Sequence, residues 1–256
     1  MSALVMAASL VSGAMIGFMG GVLGIGGGLI AIPALVLTLG MSQQLAQGTA
    51  LIMVLPTIMM AVRKYHQQAR IDMRIAAAGA AGAMVFTWIG ARLALGIPSS
   101  TLRLSFAVFL FFIALHYLRQ TLRARKAAPP QSAPAAPAFT PRRASVLGMV
   151  CGTLGGFFGV GGAVLAVPLM TSVFRLPQTT AQALALTMVI PGSTIALITY
   201  SWAGQADWRV GLPLAIGSLF FVPVGVRLAY RLPERRLRLY FAAMLMATVA
   251  LLVFEG

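Results

Sequence analysis

Residues 13–116 of the chain recur at 148–251 without a gap. GGVLGIGG at 20–27 returns as GGFFGVGG at 155–162, and Pro33, Gln43, Gln47 and Pro56 return as Pro168, Gln178, Gln182 and Pro191. Asp72 and Arg92 return as Asp207 and Arg227, and LRL at 102–104 as LRL at 237–239. Roughly a third of the aligned positions are identical at a constant shift of about 135 residues, well above chance for two apolar segments. A duplicated, apolar, glycine-broken half is the pattern of a secondary transporter.

The solvent that such a chain needs follows from its charge content. Of its 256 residues 59% are hydrophobic and 9% charged, against about a quarter charged in a soluble domain. No Asp, Glu, Lys or Arg precedes Arg63, and Arg175 stands alone between Arg143 and Asp207. These stretches suit helices crossing a hydrocarbon core of about 30 Å. The net charge of +15 sits in short runs between apolar segments. It therefore reads as membrane orientation and contact with lipid headgroups, not as a nucleic-acid surface. The single Cys151 allows no internal disulfide. The apolar N-terminus lacks a basic region and partly belongs to the repeat, so it is read as retained structure and not a signal peptide.

Each half divides into five apolar segments, at about 3–22, 27–40, 44–62, 75–96 and 102–118, then 144–158, 162–174, 179–200, 209–230 and 237–254. The expected domains are a first transmembrane repeat (1–120), a disordered basic Ala/Pro linker (121–143) and a second repeat (144–256). The second segment of each half follows a glycine-rich break and carries Pro33 or Pro168. About thirteen helical residues rise only ~20 Å, too short to cross, so segments one and two are expected to form a hairpin turning inside the protein. With that topology most cations share one face with the linker, which the positive-inside rule makes cytoplasmic. Loop 63–74 is basic and its counterpart 198–208 has no cation. The expected fold is therefore all-α: a polytopic transmembrane helical bundle of two inverted repeats with short Gly-broken hairpins.

Chemistry is sought where the breaks lie. A helix starting at Gly27 or Gly162 directs free N–H groups and its positive dipole end toward the break, which suits an anion without any cationic side chain. The competing reading is close helix packing through small residues. The expected substrate-binding residues are Gly24, Gly26, Gly27, Gln47 and Thr49 with Gly159, Gly161, Gly162, Gln182 and Thr187. For the glutamines an interhelical hydrogen bond is the alternative. Arg92 and Arg227 are secondary candidates that suit either an oxyanion or snorkelling to headgroups. Asp72 and Asp207 read as helix N-caps. The four carboxylates, Asp72, Asp207, Glu234 and Glu255, all lie at segment ends. That disfavours a cation pump built on intramembrane acids. No catalytic residue, metal site or cofactor is assigned.

These motifs resemble the TauE/SafE family of membrane transporters, often labelled sulfite exporters. The resemblance rests on GGVLGIGGGLIAIPAL and AQGTAL in the first half, then GGFFGVGGAVLAVPLM, AQALALTMVIPG, AGQADW and GVRLAYRLPERRLR in the second. It implies an inner-membrane, multi-pass bacterial transporter of a small sulfur-containing oxyanion such as sulfite or a sulfonate, rocking one half against the other in alternating access. An anion channel and a non-transporting membrane scaffold are the alternatives, and the sequence leaves a homo-oligomer open. The second copy has Ala163 for Gly28 and Ala183-Leu184 for Gly48-Thr49, so the two half-sites are unequal.

Overall fold

A computed structural model describes residues 3–67, 71–126 and 138–254. Among them every regular element is an α-helix: α1 (Ala3–Leu23), α2 (Gly28–Leu39), α3 (Gln43–His66), α4 (Met73–Leu95), α5 (Ser99–Lys126), α6 (Pro141–Phe158), α7 (Ala163–Ser172), α8 (Gln178–Trp202), α9 (Trp208–Arg231) and α10 (Glu234–Phe254). The starts of α2, α3, α4 and α5 and those of α7, α8, α9 and α10 are repeat partners, so the local signals that open each helix were duplicated with the sequence. Asp72 and Asp207 are such signals. Each accepts from two backbone amides of the first turn, at 2.9 and 3.3 Å for Asp72 and at 2.8 and 3.4 Å for Asp207. Helix α5 continues to Lys126, into the stretch expected as linker, and α6 opens with Pro141; residues 127–137 of that linker lie outside the described residues.

Six helices among the described residues are long and apolar enough to cross a membrane: α1, α3, α4, the first part of α5, α8 and α9. Helices α2 and α7, at 12 and 10 residues, rise only about 18 and 15 Å. Pro33 and Pro168 lie inside these short helices and do not end them. It is the positive-φ glycines before them that separate α1 from α2 and α6 from α7. Outward faces carry large apolar side chains, Phe112, Val85 and Phe220 among them. Exposed Trp202 and Trp208 bracket the α8–α9 turn, as aromatic residues do at a membrane–water boundary.

The centre of the bundle is the pair α3 and α8, and it is antiparallel. Gln47 near the start of α3 meets Tyr200 near the end of α8, and Tyr65 at the end of α3 meets Gln182 near the start of α8. Two glycine seams flank this pair. On α1, Gly13, Gly17 and Gly21 sit against Leu214, Ser218 and Val222 of α9, and a Cβ on Gly17 would lie 2.5 Å from Ser218 Cα. On α6, Gly148, Gly152 and Gly156 sit against Gly79, Ala83 and Thr87 of α4. Both seams advance in step, so their helices run parallel at backbone contact, the small-residue packing of membrane interiors. Each repeat thus lends its first helix to the fourth helix of the other. Helices α5 and α10 pack together, with the Tyr117 and Phe241 rings 4.5 Å apart.

This arrangement sorts the charges. The end of α3 and the start of α8 share one end of the bundle, as do the starts of α4 and α6. The end of α9 joins them, because Tyr230 packs on Tyr65 with ring centroids 5.5 Å apart. Arg63, Lys64, Arg74, Arg142, Arg143, Arg175 and Arg231 therefore belong to one end, whereas Arg92, Arg103 and Arg209 belong to the opposite one.

Candidate functional site

The two glycine breaks meet at the level of Val54, midway along α3. A Cβ on Gly28 would lie 2.9 Å from Val54 Cγ2, 3.5 Å from Val160 Cα and 3.7 Å from the Gly159 carbonyl oxygen. Val54 Cγ1 also stands 3.3 Å from the Cβ position of Gly26 and 3.8 Å from that of Gly161. Gly24, Gly26 and Gly27 have φ of 65, 73 and 82°, and Gly159, Gly161 and Gly162 have φ of 65, 76 and 75°. Two successive left-handed residues turn the chain back and aim the first amides of α2 and α7 into the break. Gly27 and Gly162 occupy the N-cap positions, and neither helix has a side-chain cap. Two uncapped helix N-termini thus converge inside an apolar bundle.

Gln47 and Gln182 hold the opposite repeat's break. Both are fully buried. A Cβ on Gly24 would lie 2.5 Å from Gln182 Cγ, and one on Gly159 would lie 2.7 Å from Gln47 Cβ. The Tyr65 hydroxyl, 3.0 Å from Gln182 Oε1 and 3.1 Å from the Gly21 carbonyl oxygen, donates to these acceptors. Tyr200 does the same at 2.8 Å from Gln47 Oε1 and 3.2 Å from the Gly156 oxygen. The amides differ at the other end. Gln182 Nε2 donates to the Leu23 carbonyl at 2.8 Å, whereas Gln47 Nε2 has no partner.

The remaining expected residues lie elsewhere. Thr49 is buried, and its hydroxyl accepts the Asp207 amide at 2.9 Å, fastening the α8–α9 turn to α3. The Thr187 hydroxyl donates within its own helix to the Ala183 carbonyl at 2.8 Å. Arg92 and Arg227 are exposed, and the Arg92 guanidinium lies over the Trp88 ring at 5.7 Å. That geometry suits a side chain reaching for headgroups.

Three residues escaped the sequence reading. Tyr65 and Tyr200 are repeat partners and could have been found in the same alignment as the glutamines. Ser193, 1% exposed with an unpartnered Oγ, borders the Gly161 break, 2.9 Å from where a Cβ would stand. Its repeat partner is Ile58, so no symmetric signal marks it.

A glycine-broken, duplicated bundle with uncapped helix ends meeting in its apolar centre is the construction of a polytopic membrane transporter. The family described as Sulfite exporter TauE/SafE matches residues 9–252. The chain belongs to this family, which is one of membrane transporters and not of enzymes. It is 25% identical over 267 residues to "Probable membrane transporter protein YunE" of Bacillus subtilis (strain 168), covering 96% of each chain. It is 25% identical to a "Probable membrane transporter protein" of Xylella fastidiosa (strain 9a5c) over 86% of this chain and 83% of the relative. It is 22% identical to "Probable membrane transporter protein MJ0441" of Methanocaldococcus jannaschii over 92% and 91%. No solved structure matches the chain.

Proposed function

We propose that the protein carries a small sulfur-containing oxyanion, sulfite or a sulfonate, out of the cytoplasm by alternating access, with the anion held between the two breaks. The observation carrying this reading is the convergence of the uncapped N-termini of α2 and α7 beside Val54. Their partial positive charges attract an anion, and in a low-dielectric interior that attraction is little screened. Gly24, Gly26, Gly27, Gly159, Gly161 and Gly162 form the cradle, with Gln47 and Gln182 packed against it. Outward movement of a monoanion releases about 2.3 kcal/mol per 100 mV of inside-negative potential, so export needs no buried acid.

The topology is that of two repeats inverted about an axis in the membrane plane. This is supported by the antiparallel α3–α8 pair and by its reciprocal Gln47–Tyr200 and Gln182–Tyr65 contacts. The basic end faces the cytoplasm of a bacterial inner membrane. Purified protein in proteoliposomes, tested with sulfite, thiosulfate, sulfate, a sulfonate and acetate, should carry the sulfur oxyanions selectively. Equal transport of acetate, or no transport of any of them, would end this reading.

A further inference from the structure

The two breaks are related by sequence but not by chemistry. Beside the second break lies a cavity of about 10 Å³ bordered by Ala83, Thr87, Gly161, Gly192 and Ser193. That is room for about one water-sized atom. The repeat partners of Ala83, Gly192 and Ser193 are Ser218, Thr57 and Ile58. There the corresponding space is filled. The Thr57 and Ser218 hydroxyls lie 2.8 Å from each other and 2.6 and 2.8 Å from the carbonyl oxygens of Met53 and Ala215. Ile58 Cγ2 stands 3.0 Å from the Cβ position of Gly26.

Donor groups follow the same division. At the first break Gln182 is bonded through both ends of its amide, to Tyr65 and to the Leu23 carbonyl. At the second, Gln47 Nε2 and Ser193 Oγ are both buried and unpartnered. Leaving such groups unpaired is costly, so they call for a ligand. The ligand's sign follows from the atoms. The sense of the Gln182 amide is fixed by the Leu23 carbonyl that its Nε2 meets; the repeat gives Gln47 the same sense, with Oε1 on Tyr200 and Nε2 left over. An amide N–H cannot ligate a cation, and the adjacent α7 terminus offers further N–H groups.

Resting on the transporter reading above, we infer that the anion is gripped at the second break, residues 159–162, by Gln47 Nε2 and Ser193 Oγ, while the first break acts as its packed counterpart. The ligand is an oxyanion with at least one oxygen able to accept from both residue types. The cavity beside Ser193 admits one such oxygen and Gln47 lies outside its lining, so an oxyanion reaches both residues only as the breaks part, which couples binding to opening.

The test is sulfite uptake into proteoliposomes, with the thermal unfolding of each variant measured in detergent. Ser193→Ala should raise the KM for sulfite about tenfold, the loss of one charge-assisted hydrogen bond, without lowering Tm. Thr57→Val, a hydroxyl deletion beside the first break, should lower Tm and leave KM unchanged. An unchanged KM in Ser193→Ala overturns the inference, as does an equal rise in KM in Thr57→Val. If the wild-type protein moves no sulfur oxyanion, the transporter reading itself falls, and this inference with it.

Discussion

Replacing Gln182 and Gln47 by leucine, one at a time, should separate a structural glutamine from a functional one within a single molecule. Both side chains are 0% exposed, occupy repeat-related positions and pack on a break glycine of the other half. Each is thus the other's control. Gln182→Leu removes two interhelical bonds, the one from Tyr65 and the one to the Leu23 carbonyl. At about 0.6–1 kcal/mol each in a membrane interior, the loss is about 1–2 kcal/mol. Gln47→Leu removes only the bond from Tyr200 and also takes an unpartnered amide donor out of the interior. Relief of that burial, about 1–3 kcal/mol, offsets or exceeds the lost bond. The two variants should therefore differ by about 2 kcal/mol, or about 4–8 °C in Tm for a chain of this size, with Gln182→Leu the less stable. The assay is thermal unfolding in detergent, paired with sulfite transport in vesicles. Gln47→Leu should hold or gain stability while transport weakens, the trade-off expected where a site keeps unmet polar groups for its ligand. Equal Tm losses would refute the claim that only one amide is fully satisfied.

Other expectations follow from the same geometry. Gly24→Ala, at φ 65° with its Cβ 2.5 Å from Gln182 Cγ, should abolish transport and depress folded yield, whereas Gly40→Ala, at φ 62° with nothing within 4 Å, should cost about 1 kcal/mol and leave transport intact. Asp72→Ala should lower stability by about 1 kcal/mol through loss of its N-cap, as read by thermal unfolding. Introduced singly, His66→Cys and Ala203→Cys should react with an impermeant maleimide from opposite sides of the membrane, since Cys151 is buried and gives little background; labelling from the same side would refute the inverted topology.

The helices were legible because membrane helices announce themselves by length and apolarity, and because the repeat gave each boundary twice. The turn-opening signals Asp72 and Asp207 and the break glycines are local, so they read correctly without tertiary context. Side-chain partners were not local. Thr49 looked like a neighbour of Gln47, yet the fold uses its hydroxyl on the Asp207 amide, a residue far along the chain. Thr187 looked similar, but its hydroxyl turns back on its own helix, as threonines in apolar helices do. Tyr65 and Tyr200 are visible in the duplication, but nothing local marks a tyrosine near a helix end as the partner of a glutamine on another helix. Ser193 has no polar counterpart in the first repeat, where Ile58 stands. Symmetry in the sequence points to the scaffold, and a residue without a matching counterpart, such as Ser193, carries no such signal.

The glycine seams have a mechanical corollary. Helix α1 is bound at backbone contact to α9, and α6 to α4, so the stiff pieces of this molecule do not coincide with its two sequence repeats. Rocking residues 1–120 against 144–256 would shear both seams at once. A displacement that kept both seams closed would have to run between composite blocks, one built on α1 and α9 and the other on α4 and α6. A single repeat made alone would present an unzipped row of glycines to lipid and lack the helix that closes it.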